Sequence, residues 1–318
     1  MDSPRCLVSL PTIAERISQA AFIDELLAWS RRAATQNEPS ILQVKGAAGS
    51  LPAFLLHRLK QDLDAPLCCV MPDEDAAAYL LSDLDQLTGE ATRTLRFPAT
   101  GRAPYDPEQI TDSTPLVERA DVLQQLADGF AGILVTSVQA LAEMVPPADA
   151  VQRETLSVSV GDEIAPEALA ERLVDQGFTP VEFVEAPGEI ARRGGILDVF
   201  PFSGTYPIRF EFFGDEIDSI REFDAQTQRS VSRLTTARIV PNLEREQSSG
   251  AYVPLFDFLS DDTLLATFDE GRVLEGADAL FEKAEQGYEQ AKAKLEAEKI
   301  DAAAIDMMLP HRRYLNRT

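Results

Sequence analysis

The stretch Val44-Lys45-Gly46-Ala47-Ala48-Gly49-Ser50-Leu51-Pro52 stands where a phosphate-binding loop would sit, between a strand-like run and a helix. A working loop reads G-x-x-x-x-G-K-[ST]. Its amides cradle phosphate, its lysine holds the outer phosphates, and its hydroxyl binds Mg²⁺. No such lysine–hydroxyl pair follows Gly49 here, so Gly46, Gly49 and Ser50 do not satisfy the pattern of a working phosphate loop. Asp73-Glu74-Asp75 has the look of an acidic metal motif. It follows Pro72 and opens a helix, where acids favour the positive end of the helix dipole. The histidines are His57 and His311, and the cysteines Cys6, Cys68 and Cys69, with no CxxC among them. That inventory supplies neither zinc-site spacing nor a nucleophile–base set, so no metal and no catalytic residue are expected.

The remaining reactive chemistry is recognition by charge. Arg192-Arg193-Gly194-Gly195 is a basic island followed by two glycines, which permit a sharp turn or a close approach by a partner. Arg209 and Glu211 are two apart on a strand and point to one side, with Ile208, Phe210 and Phe212 on the other. Taken alone, these residues need be no more than an exposed cross-strand ion pair, which adds little to stability.

The background makes that island conspicuous. The 318 residues carry 53 acidic and 29 basic side chains, a formal net charge of −24, and only six of the bases are lysine. Wrapping nucleic acid by bulk charge is disfavoured, as is binding an anionic membrane surface. The excess could form a face for a basic partner or a solvated surface suited to high salt. Acids spread from Asp2 to Asp306 favour the second. Thiols that read as reduced, with no signal peptide and no apolar run of about 18 residues, imply a soluble cytoplasmic protein.

Strands and helices alternate through the first half. Ala14–Ala34 has helical apolar spacing, and Ser40–Gly46 reads as a short buried strand. A helix is expected over Pro52–Asp62, a strand over Pro66–Met71 with Cys68 and Cys69 as core residues, and a helix over Asp73–Leu87. The strand Thr94–Phe97, a polar loop, the helix Pro115–Ala127 and the strand Gly132–Thr136 follow. This order implies a parallel α/β sheet. From about Thr155 the pattern changes. A strand, Leu156–Val160, and a helix, Ala165–Gln176, lead into closely spaced β runs: Pro180–Val184, Gly195–Phe200, Tyr206–Phe213 and Glu216–Phe223. Gly214-Asp215-Glu216 fits a hairpin turn between the last two. From Ala237–Pro241 the chain reads as α/β again, with a strand at Leu264–Phe268. A tail helix over Asp278–Lys299 carries the pairs Glu289–Lys292 and Glu296–Lys299. A solvated surface helix is the simpler reading of it, and a partner-binding helix the other.

The run Ala186-Pro187-Gly188-Glu189-Ile190-Ala191-Arg192-Arg193-Gly194-Gly195-Ile196-Leu197-Asp198-Val199-Phe200-Pro201 is long and ordered. It continues in Pro207-Ile208-Arg209-Phe210-Glu211-Phe212-Phe213-Gly214-Asp215-Glu216-Ile217-Asp218-Ser219-Ile220-Arg221 and Phe223-Asp224. It resembles the module shared by the bacterial transcription-repair coupling factor (Mfd) family and the excision-repair protein UvrB. The order of elements around it is similar to the N-terminal region of the coupling-factor family.

The resemblance implies a degenerate, helicase-like parallel-sheet domain without a working P-loop, interrupted by an inserted α+β domain with an antiparallel sheet. The expected parts are 1–152 as the first α/β portion, 153–235 as the insert and 236–318 as the second portion with its C-terminal helix. It implies that Arg192, Arg193, Gly194, Gly195, Arg209 and Glu211 form the face that docks UvrA, the damage-recognition ATPase. Arg192, Arg193 and Arg209 are expected on one exposed face. The implied role is non-catalytic: UvrA is recruited where RNA polymerase has stalled at damage, with the docking face masked in the resting full-length protein. No cofactor is expected for this stretch. ATP, Mg²⁺, RNA polymerase and DNA belong to downstream motor and polymerase-binding domains that this stretch lacks. The alternative is a UvrB-like ATP-dependent DNA-unwinding subunit. It would need the missing lysine and an aromatic hairpin, but the loop Ala99–Pro115 offers Tyr105 alone.

Overall fold

The structure is a computed structural model, and it describes residues 15–17, 19–33, 40–89, 92–101, 114–241, 252–297, 310 and 314. Cys6, His311 and most of the loop around Tyr105 lie outside the described residues. In chain order the elements begin α1 (Ala21–Ala33), α2 (Leu51–Asp62), β1 (Leu67–Met71), α3 (Glu74–Thr88), β2 (Thr94–Phe97), α4 (Thr114–Ala127), β3 (Ile133–Ser137) and α5 (Val138–Ala142). Then come α6 (Ala148–Glu154), β4 (Leu156–Ser159), α7 (Pro166–Asp175), β5 (Thr179–Pro180), β6 (Glu189–Arg193), β7 (Ile196–Val199), β8 (Ile208–Phe213) and β9 (Glu216–Phe223). The chain closes with β10 (Ser230–Leu234), β11 (Thr236–Ile239), a 3₁₀ turn (Leu255–Phe258), β12 (Leu264–Thr267) and α8 (Glu270–Ala297).

Two compact units result. The first comprises Met1–Phe97, Phe130–Gln139 and Leu259–Gly276; the second comprises Pro98–Gly129, Ala140–Phe258 and Ala277–Thr318.

The first unit holds the expected parallel sheet, in the order β12-β1-β3-β2. Its central strands β1 and β3 are buried at every position, which is why they read as unbroken apolar runs rather than alternations. Cys68 and Cys69 are core residues of β1, and burial pushes the Cys68 thiol up to about 12 and Cys69 well above its ordinary value. Such thiols are inert filler. Ile23, Leu26 and Leu27 of α1, Leu55, Leu56 and Leu59 of α2, and Leu80 and Leu84 of α3 share this core. Each buried leucine contributes about 1.5–3 kcal/mol. The acidic triplet caps a helix as expected: Asp73 accepts the Ala76 amide at 2.8 Å and also receives Arg272 at 2.9 Å. Capping of this kind is worth about 1 kcal/mol.

Ser40–Gly46 is not a strand. The segment runs as irregular backbone, with Ile41 93% exposed and Leu42 and Val44 also exposed. Among the described residues no strand of the sheet pairs with it. β-propensity records a fit to a pleated, half-buried surface, and without a ladder partner an apolar run does not become a strand.

The second unit carries a six-stranded sheet in the order β10-β9-β8-β7-β6-β5, antiparallel except for the short parallel pair β5–β6. β4 pairs antiparallel with β11, Leu156 opposite Ile239. α7 packs on β6 and β7, and its Leu169 and Leu173 are fully buried. The expected strand Pro180–Val184 shrinks to Thr179–Pro180, and two strands that the sequence reading did not register appear, β6 and β10.

The tail helix begins at Glu270, eight residues before its expected start. Glu289 and Lys292 form no ion pair, and Lys299 lies outside the described residues. No helix among the described residues is long and apolar enough to cross a membrane.

Candidate partner-docking site

The basic island is the end of β6 and the turn after it. Arg193 is opposite Ile196, so Gly194-Gly195 form a two-residue hairpin between β6 and β7. Gly194 takes φ +60°, a conformation that favours glycine, and a Cβ on Gly195 would stand 3.1 Å from the Phe212 carbonyl oxygen. The glycines therefore serve a tight hairpin and a close backbone approach. The turn Gly214-Asp215 joins β8 to β9 in the same way, as the sequence predicts.

Register decides which side chains share a face. Ala191, Asp198, Arg209, Arg221 and Arg233 are successive partners across β6 to β10 and form one row. Arg193, Ile196, Glu211 and Ser219 form the next row on the same face. On the opposite face Arg192, Leu197, Phe210, Ile220 and Leu234 align, toward α7.

The first face centres on a buried acid. The Asp198 side chain is 1% exposed and receives a two-pronged contact from Arg209, Nε to Oδ1 at 2.6 Å and Nη2 to Oδ2 at 2.8 Å. Arg193 adds a third contact, Nη2 to Oδ2 at 2.5 Å. A carboxylate cannot stay charged in an apolar sheet without such partners. The hydrogen bonds from Arg209 to Asp198 in turn raise the guanidinium pKa above its ordinary value, against the opposing pull of burial. Arg209 also donates to Gln228 Oε1 at 2.8 Å and lies 4.2 Å from the Phe223 ring centre. Arg193 stacks over Phe183 at 4.5 Å, and Phe183 is itself exposed. One row further, Glu211 accepts the Ser219 hydroxyl at 2.6 Å and pairs with Arg221.

The chemistry available is recognition of anions. Arg193 is one-third exposed, Arg209 far less, and Arg221 and Arg233 extend the row to solvent. Four arginines face two acids, within a chain that is strongly acidic overall.

The structure thus brings Arg193, Arg209 and Glu211 together beside the Gly194-Gly195 turn. It separates Arg192 from them, and the expectation of a single face for all the arginines is corrected here. Neighbours on a strand point to opposite sides, and Arg192 turns toward α7, where it pairs with Glu167. Gly46, Gly49 and Ser50 belong to the first unit, with φ of +81° and +60° at the glycines. Ser50 precedes α2 without capping it through its side chain.

Asp198, Arg221 and Arg233 were missed by sequence reasoning. Asp198 did leave a signal, since an acid inside Ile196-Leu197-Asp198-Val199-Phe200 must find cations if it is buried. Among the described residues no cluster of three or more His, Cys, Asp or Glu is arranged to hold a metal.

Residues 156–244 match the family described as the UvrB interaction domain, and this span holds the antiparallel sheet with its arginine face. Over about 60–70% of its length the chain is similar to transcription-repair-coupling factors. It is 38% identical over 231 residues to that of Myxococcus xanthus, which is 71% of this chain and 18% of the relative. Against the Bacillus subtilis (strain 168) protein it is 33% identical over 201 residues, 63% of this chain and 17% of the relative. Against that of Escherichia coli (strain K12) it is 31% identical over 196 residues, 61% of this chain and 17% of the relative. The family resemblance read from the run at 186–224 is borne out by these matches. The chain spans less than a fifth of the length of these relatives.

Proposed function

We propose that this chain is a non-catalytic part of a transcription-repair coupling factor that recruits UvrA, docking it on the face of the six-stranded sheet. The observation that carries the reading is the Arg193–Asp198–Arg209 clasp with Glu211–Arg221 beside it, on a UvrB interaction domain. Rigid, partly desolvated guanidinium groups are suited to the centre of a protein interface. Arg193 and Glu211 provide the central contacts, each about one-third exposed; Asp198, held by Arg209, positions Arg193, and Arg221 and Ser219 position Glu211. Arg192, on the other face, stays at the periphery.

In the full-length protein the same face is masked at rest, so that UvrA docks only after engagement with a stalled polymerase. RNA polymerase and DNA are handled by other parts of that protein. The stretch Gly46–Ser50 has no phosphate-holding lysine after it, so this chain neither binds nor hydrolyses ATP.

Calorimetric titration of the 318-residue chain with UvrA tests the reading. Saturable binding is expected, weakened at least about tenfold by Arg193→Ala, with no heat from ATP in the same cell. Arg193→Ala is the clean variant, because Asp198 keeps both contacts from Arg209. No binding by the unaltered chain refutes the recruitment role, and undiminished binding by Arg193→Ala refutes the site.

A further inference from the structure

We infer that the docking face continues across β9 and β10, and that Arg233 takes a carboxylate from an acidic segment of the partner. This rests on the proposed recruitment of UvrA and deepens it, assigning a specificity contact at the outer edge of the sheet.

The inference starts from register. Arg209 is opposite Arg221, and Arg221 is opposite Arg233, so three guanidinium groups stand on one face of three neighbouring strands. Strands lie about 5 Å apart, and like charges placed directly opposite each other destabilise a sheet. Two members of the row are compensated within the fold: Arg209 by Asp198, and Arg221 by Glu211. Arg233 is exposed, and among the described residues no acid pairs with it.

The arrangement leaves one repelled, unpaired cation at the end of a row. In a chain with 53 acids and only 29 bases, a run of register-matched arginines is not background composition. An acidic segment laid obliquely across the face would meet Arg233 at the β10 edge and Arg193, one row over, on β6, replacing repulsion with paired contacts. Charge complementarity of this kind selects a partner and speeds its encounter. A competing explanation is that Arg233 merely guards an edge strand against pairing, as charged residues on edges do.

The substitution Arg233→Glu separates these explanations, because it moves stability and binding in opposite directions. Glutamate opposite Arg221 relieves the repulsion, so the thermal unfolding temperature of the chain should hold or rise. Binding to UvrA in the same titration should weaken about tenfold at low salt, with a smaller difference at high salt. Unchanged affinity of Arg233→Glu alongside weakened Arg193→Ala overturns this inference and leaves the recruitment role standing. A fall in unfolding temperature together with lost binding also overturns it, since the residue would then be structural. No binding by the unaltered chain overturns both.

Discussion

Replacing Asp198 by alanine is expected to destabilise the six-stranded sheet by about 3–5 kcal/mol, the cost of removing one partner from a buried ion cluster. The carboxylate is 1% exposed and receives three arginine contacts between 2.5 and 2.8 Å. Its loss leaves Arg209, 15% exposed and held over the Phe223 ring, donating to Gln228 but without its carboxylate. Because domains are stable by about 5–15 kcal/mol in total, the variant should show an unfolding transition far below that of the unaltered chain in urea. The double variant Asp198→Leu, Arg209→Met should recover most of the loss, since apolar replacement of a whole buried pair is often neutral or better. A cost below about 1 kcal/mol for Asp198→Ala would show that the clasp is not the support of the face. The effect would reach function as well, because Arg193 and Arg209 are both aimed by this one acid.

Arg119→Ala is expected to cost a similar amount, about 3–5 kcal/mol, in a different part of the second unit. Arg119 lies on α4 with its side chain 1% exposed, pairs with Glu143 at 3.0 Å and donates to the Pro98 carbonyl at 2.8 Å. Glu143 also accepts the Thr100 hydroxyl at 2.9 Å, so one arginine holds together chain segments around 98–100, α4 and 143.

The consequence for the antiparallel sheets is mechanical. α4 and Asp128 after it are tied to the β4–β11 pair: Gln124 accepts from Thr155, just before β4, at 2.8 Å, and Asp128 accepts from Arg238 of β11 at 2.9 Å. The Arg238 hydrogen bond holds Asp128 below the usual carboxylate range. That contribution is therefore present above the ordinary aspartate pKa and is lost as pH falls through the lowered value. Unfolding in urea at neutral pH measures the Arg119 effect. A change within about 0.5 kcal/mol, typical of surface sites, would contradict the role given to it.

Local pattern carried much of the fold. Val70 and its neighbours, and Ile133–Thr136, announce a parallel sheet because both faces of those strands are buried, and the polar–apolar alternation of Ile208–Phe213 announces β8. Pairing across distance left no such trace. β4 and β11 are about eighty residues apart and form a ladder that neither sequence advertises. Ser40–Gly46 has the composition of a strand and has no ladder partner among the described residues. Gly271 and Gly276 hide the first turns of α8, because glycine lowers helix propensity by about 1 kcal/mol.

The grouping of Arg193, Arg209 and Glu211 was legible in the sequence, and the placement of Arg192 with them was misread. Arg192-Arg193 was read as part of a turn, which allowed both side chains to point one way. Once Glu189–Arg193 is a strand, the two-residue period sends them to opposite sides. The fold also assigns the residues unequal jobs. Arg209, prominent in the motif, is spent largely on Asp198, while Arg221 and Arg233 acquire their place from register alone.

The proposed docking of UvrA on this arginine face has a direct readout. Hydrogen exchange of the 318-residue chain, followed with and without UvrA, addresses it most directly. Docking there adds protection on β6 to β10, residues 189–234, and leaves the parallel sheet of the first unit unchanged. Protection confined to β1, β3 and α2, or to α7 on the opposite face, would contradict it.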